Sequence, residues 1–193
     1  MKIEENLFVG KLVKLAAVEP EKAAPLFSRW SRDAEFERLL DSNAPRLFSA
    51  ATIKTWIEEE MEKEIVNFAF FMIQTLEDDR PIGFIDLGYR NWHTGNAWVG
   101  IGIGERDSWG KGYGTDAMRL ILRYAFDELN LHRVSLGVFE FNPRAMRSYE
   151  KAGFTVEGRE RAAIHRDGRR WDVILMGILR SEWEAQQNGS TDT

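Results

Sequence analysis

Cysteine is absent from the chain. Without it there is no thiolate nucleophile and no cysteine-ligated zinc, so a transfer reaction has to go directly to its acceptor or through a serine or other non-thiol group. Long apolar runs are absent as well. None approaches the roughly 18 residues of a membrane span, and the opening "MKIEENLFVG" lacks a signal-peptide core. Together these absences make the cytosol the expected location, with no membrane partner. An excess of positive charge is the third thing missing. Against 26 lysines and arginines stand 31 aspartates and glutamates. A phosphate-backbone binder needs a basic face, so the net charge of −5 argues against nucleic acid and leaves cationic substrates open.

What is present reads as one domain over residues 1–184, with 185–193, inside "EAQQNGSTDT", expected to be a disordered tail. Leu26, Trp30, Phe36 and Leu40, and then Ile53, Ile57 and Met61, recur at helical spacing among charges, which predicts amphipathic helices before residue 65. "LFVGKLVKLAAV" before them suits an opening strand. After residue 65, "NFAFFMIQT", "PIGFIDLGY" and "AWVGIGIG" are separated by turn sequences and predict an antiparallel meander. The period then changes. "TDAMRLILRYAFDELNL" aligns Ala117, Met118, Ile121, Leu122, Ala125 and Leu129 on one helical face, with Asp116 in the first turn. After the strand "HRVSLGVFEF" comes a short helix with clear ends: Asn142 as N-cap, Pro143 at the first position, Gly153 at the C-cap and Phe154 as its hydrophobic contact. Asp167 and Gly168 mark a hairpin turn into a last strand.

The densest signal is "VGIGIGERDSWGKGYGTDA", residues 99–117, which holds Gly100, Gly102, Gly104, Gly110, Gly112 and Gly114. Each glycine in regular structure costs about 0.5–1 kcal/mol relative to alanine, so something must approach this backbone. The first three alone could mark a bulge or a close crossing by a neighbouring chain. The second three stand directly before an amphipathic helix, where unpaired N–H groups and the helix dipole favour a phosphate. Two common phosphate motifs fail on spacing. Lys111 is followed by Gly112 and not by serine or threonine, and Thr115 stands where a dinucleotide fingerprint needs its third glycine.

"WGKGYG" before a helix resembles the cofactor loop of the GNAT superfamily of N-acetyltransferases, written [QR]xxGx[GA], with Trp109 in place of the first residue. "NPRAMRSYEKAGF", residues 142–154, resembles the superfamily's second motif. The ending "VEGRERAAIHRDGRRWDVILMGILRSEW" is similar to the branch of ribosomal-protein and polyamine N-acetyltransferases. The resemblance implies an α/β (α+β) GNAT fold: a central, mostly antiparallel mixed sheet with splayed fourth and fifth strands and flanking helices. It implies acetyl-CoA as donor, no metal, and direct transfer to a primary amine such as a protein N-terminus, a polyamine or another small amine. By the same resemblance Gly102, Ile103, Gly104, Trp109, Gly110, Lys111, Gly112, Tyr113, Gly114, Thr115, Asn142 and Lys151 hold the cofactor, and Tyr149 is the general acid. Period-two alternation puts Ile101 and Ile103 on one face. Gly100 and Gly102 then leave the other bare, as room for the pantetheine arm or the acceptor.

The general base is not legible. Trp98 stands where many relatives keep a glutamate, and Ala145 and Ile164 stand where the ribosomal-protein branch can use a serine and a glutamate. Asp86 is the nearest carboxylate, Tyr89 is another polar candidate, and His93, His132 and His165 fall in turns or before a strand. The acceptor is expected between the N-terminal helices and the meander, where Trp30, Phe48, Trp56, Trp92 and Trp98 could wall a pocket or fill the core. Two rival readings stay open: a non-catalytic acyl-CoA-binding sensor, and a nucleotide-binding protein. The apolar "VILMGIL" could pair across a homodimer.

Overall fold

In the computed structural model of the protein, which describes residues 6–62, 68–91 and 93–189, the chain opens with the short strand β1 (Val13–Ala16). Three helices follow: α1 (Pro20–Trp30), α2 (Ala34–Leu40) and α3 (Ala50–Glu62). The break between α1 and α2 has a local cause. The Asp33 carboxylate accepts the N–H groups of Glu35 (3.0 Å) and Phe36 (3.2 Å), capping a new helix before the old one can continue. The meander forms as expected from β2 (Phe68–Thr75), β3 (Pro81–Asn91) and β4 (Asn96–Ile103). Residues 1–5, Asn67 and Trp92 lie outside the described residues.

Helix α4 (Tyr113–Arg123) runs into a single π-helical turn at Tyr124–Glu128, and β5 (Arg133–Phe139) leads to α5 (Pro143–Ala152). The ends of α5 carry their predicted chemistry. Asn142 Oδ1 accepts the Ala145 N–H at 3.2 Å, and Gly153 takes φ of 105° while the Phe154 N–H reaches the Tyr149 carbonyl at 3.1 Å. A hairpin of β6 (Thr155–Arg166) and β7 (Arg169–Leu179) turns on Asp167 and Gly168, both at positive φ (53° and 73°), the conformation a type I′ turn requires.

All seven strands form one sheet in the order β1-β2-β3-β4-β5-β7-β6, antiparallel except between β4 and β5. Alternation sorts its two faces. Ile85, Leu87, Val99, Leu136 and Met176 pack beneath α4 and α5 with Ile121, Leu122 and Phe126. On the other side Met72, Phe70 and Phe84 meet Trp30, Phe36, Ile53 and Ile57 of α1–α3, so Trp30 is core while Met61 and Trp56 remain exposed.

Two expectations need correcting. Residues from 185 onward are not a loose tail through to Gly189, because α6 (Arg180–Gly189) continues the chain. Trp183 anchors that helix against Phe126, 5.4 Å between ring centroids. Nor can β7 pair across a dimer, since β5 and β6 occupy both its edges.

Asp116 ties the sheet to α4. Its buried Oδ2 accepts the Leu12 N–H (2.7 Å) and the Val13 N–H (3.0 Å), pulling the start of β1 against the helix carrying the glycine loop. Removing the acceptor strands two backbone donors, one of them buried. Asp116→Ala is therefore expected to cost about 2–3 kcal/mol, read as a lowered denaturant midpoint with unchanged slope.

Candidate active site at the strand splay

Strands β4 and β5 stay together for three pairs, Asn96↔Arg133, Ala97↔Val134 and Trp98↔Ser135. Beyond them β5 follows β7 as far as Phe139↔Val173, while β4 stays with β3 up to Gly83↔Ile103. The expected splay is therefore real, and a cleft of about 310 Å3 opens beside it. The starts of two helices form its walls. At α4, Gly110 (φ 76°) and Gly112 (φ 90°) take the left-handed conformation, which a side chain would strain. The first helical bond closes from the Asp116 N–H to the Gly112 carbonyl at 3.0 Å. The N–H groups of Tyr113, Gly114 and Thr115 are thus left without helical partners. At α5, Ser148 meets Thr115 oxygen to oxygen at 2.8 Å and locks the two walls in register.

Most of the predicted cofactor residues line this one cleft: Gly102, Ile103, Trp109, Gly110, Gly112, Tyr113, Gly114, Thr115, Asn142 and Lys151, with Tyr149 among them. Gly104 and Lys111 do not. Gly104 is buried against the Trp30 indole, and Lys111 points outward from the loop. Sequence reasoning missed Arg144 and Arg147, which also line the cleft. Their signal was present, because Arg144, Ser148 and Lys151 follow helical spacing on one face of α5.

Trp109 and Arg144 bridge the two walls. The indole Nε1 donates to the Ile103 carbonyl at 2.6 Å, and the Arg144 guanidinium lies over the ring 3.8 Å from its centroid. Burial lowers the Arg144 pKa from its ordinary value, partly offset by Glu35. Arg144 is thus a cation on the cleft wall with no ion-pair partner among the described residues. Tyr149, partly buried against Phe154, has its phenol pushed up to about 12 by burial.

Residues 13–155 match a family described as an acetyltransferase (GNAT) domain. The chain belongs to the GNAT acetyltransferase family. It is similar to the SPbeta prophage-derived uncharacterized N-acetyltransferase YokL of Bacillus subtilis (strain 168), with 32% identity over 178 residues covering 92% of this chain and 95% of that protein. It is 30% identical over 181 residues to the uncharacterized N-acetyltransferase p20 of Bacillus licheniformis, covering 93% and 98% respectively. In fold it resembles the spermidine N-acetyltransferase from Vibrio cholerae solved with CoA and spermine. The TM-score there is 0.79 at 24% identity, over 89% of this chain and 98% of that one. This GNAT protein is accordingly an acyltransferase.

In this acyltransferase the glycines of β4 do not leave a bare face. A Cβ on Gly102 would stand 2.8 Å from the Phe84 ring and 3.2 Å from Leu40, and one on Gly100 would stand 2.5 Å from Asp86 Oδ2. Phe84, the Trp30 ring and the Asp86 carboxylate fill the space that the missing side chains vacate. Asp86 lies outside the cleft, and burial pushes its carboxyl up to about 7 against the pull of the Gly100 N–H. The Tyr89 side chain lies outside the described residues. His93, His132 and His165 are exposed and line neither wall, whereas Ala145 does line the cleft and Ile164 is buried. Because Phe84 and Leu40 occupy the Gly102 face, Gly102→Val is expected to act by overpacking. A loss of about 1–3 kcal/mol should appear as a lower melting temperature, whether or not ligand is present.

Proposed function

We propose that this GNAT protein is an acetyl-CoA-dependent N-acetyltransferase that moves the acetyl group directly to a primary amine. The observation that carries the reading is the convergence on one cleft of three orphaned amides at the start of α4, three basic side chains on α5 and the Tyr149 phenol. The amides of Tyr113, Gly114 and Thr115 suit a pyrophosphate, with Arg144, Arg147 and Lys151 supplying countercharge. Beyond Trp98 the β4 edge facing the splay has no β5 pairing. An extended pantetheine arm could use that backbone, which would set the thioester near the start of α5. That a V. cholerae relative in fold was solved with CoA and spermine supports a CoA donor and an amine acceptor.

In this scheme the amine nitrogen attacks the thioester carbonyl carbon, the C–N bond forms and the C–S bond breaks. Tyr149 gives its proton to the departing thiolate and regains one from the new amide nitrogen, so the phenol ends as it began. Holding the reactants in line supplies much of the rate, and the positioned acid supplies a further factor. A second reading, a non-catalytic acyl-CoA sensor, is favoured by one observation. The family resemblance implies a glutamate on the fourth strand, and this chain carries the half-exposed Trp98 there. Thiol release from acetyl-CoA across a panel of amines separates the two readings, with turnover expected on at least one primary amine and binding without turnover identifying the sensor.

Tyr149→Phe is expected to lower kcat about 100-fold or more, with the CoA dissociation constant within twofold of the parent. The acid acts in its protonated form, and its pKa is raised to about 12. Its contribution should hold through the ordinary assay range and fade only as pH approaches that value. An alkaline limb below pH 10 that vanishes in the Phe variant would contradict this assignment.

A further inference from the structure

The face of the meander turned toward α1 carries three cross-strand rows. Phe68, Gly88 and Trp98 form the first, Phe70, Asp86 and Gly100 the second, and Met72, Phe84 and Gly102 the third. Asp86, at the centre, is the ionisable member of this patch. Aromatic rings surround it, with Phe70 centred 5.9 Å from Phe68 and 5.7 Å from Phe84. The patch is not sealed, since Phe68 and Phe70 are partly exposed and Trp98 keeps 46% of its surface in water. Among the described residues the carboxylate has no cationic partner, and its polar contact is the Gly100 N–H. A largely desolvated carboxylate without a cation is costly and needs a reason.

Its direction supplies one. A Cβ on Gly100 would fall 2.5 Å from Asp86 Oδ2, so the carboxylate lies flat across β4 in the space where a side chain would otherwise stand. The far edge of β4 has just lost its partner there, because the last pair with β5 is Trp98↔Ser135. Gly102, which lines the cleft, is two residues onward, about 7 Å along the strand. The carboxylate thus reaches over the strand toward the splay.

We infer that this patch is the acceptor subsite, in which Asp86 receives the ammonium of a primary amine carried on an uncharged, apolar or aromatic stem and takes its proton. The inference rests on the acetyl-transfer reading above. Aromatic faces attract an ammonium and pack its stem, while one carboxylate satisfies one cation and not the row of cations in a polyamine. The proton moves from R–NH3+ to Asp86, leaving R–NH2 to attack the thioester and a neutral carboxyl that later releases the proton to water. Burial raises the carboxyl to about 7, which brings its proton affinity closer to that of an amine. The neighbours supplied by each packed element are Phe70 from β2, Gly100 and Trp98 from β4, and Phe27 of α1 through its contacts with Phe70 and Phe84. None of them titrates.

The test compares the full chain with Asp86→Asn, using 2-phenylethylamine and spermidine as acceptors and thermal shift with CoA and with each amine as binding readouts. The parent should prefer 2-phenylethylamine, with kcat/KM rising through about pH 7 and then levelling as the carboxylate forms. Asp86→Asn should lose about 100-fold or more at pH 7.5, lose that break, lose the amine-induced shift and keep the CoA-induced one. Gly100→Ala, which keeps the carboxylate but displaces it, should lose activity in the same direction and serves if the Asn variant folds poorly. An unchanged pH break in Asp86→Asn, or a preference for spermidine, would overturn the inference. If the parent binds CoA but acetylates no amine, the transfer reading fails. Loss of the amine-induced shift in Asp86→Asn would then still support the subsite, and its persistence would overturn it.

Discussion

Everything in the site depends on where the parallel ladder between β4 and β5 stops. Each strand is committed elsewhere, β4 to β3 and β5 to β7, through long antiparallel registers. Their mutual pairing survives for only three residues. Two helix starts border the opening and are tied to each other by the Thr115–Ser148 contact and by Arg119, which donates to the Lys151 carbonyl at 3.0 Å. A backbone edge left unpaired inside a protein wants a partner, and a cleft that exposes one beside two helix starts suits a ligand with an extended arm and an anionic end.

Glycine is used in two physically different ways along the segment that builds this opening. Gly110 and Gly112 are required for backbone conformation, since both sit at positive φ, and Gly110 has nothing within 4 Å where a Cβ would point. The glycines of β4 are required for packing. Gly102 lies against Phe84 and Gly100 against Asp86, and just past the end of the strand Gly104 lies against Trp30, so three side chains from other elements lie close on this segment. The second use couples the helical N-terminal half to the sheet. It also determines where the Asp86 carboxylate of that face can lie.

Much of this was readable in advance because it is local. The alternating stretches became strands, the π-helical turn left the apolar face of α4 intact, and Asn142, Pro143, Gly153 and the Asp167–Gly168 pair acted through their own backbone preferences. The missed features all depend on distant partners. The helical run after Arg180 is short and polar, and it is held by Trp183 on Phe126 and by Arg180 donating to the Leu131 carbonyl at 3.1 Å. By sequence Arg144 shares a helix face with Ser148 and Lys151, but nothing local says what that face borders. Arg144 becomes a cleft residue because Trp109, from the other wall, offers it a ring.

The sequence by itself determined the elements and the glycine loop at a helix start, because caps, turns and periodicity act over a few residues, while the family followed from the resemblance of two short motifs. Tertiary structure alone decided which face of β4 is filled and by what, that β7 is interior to the sheet, and that Asp86 lies across Gly100 beside the splay. Those outcomes depend on cross-strand register, which brings side chains from separate strands within a few ångströms. No local pattern encodes that register.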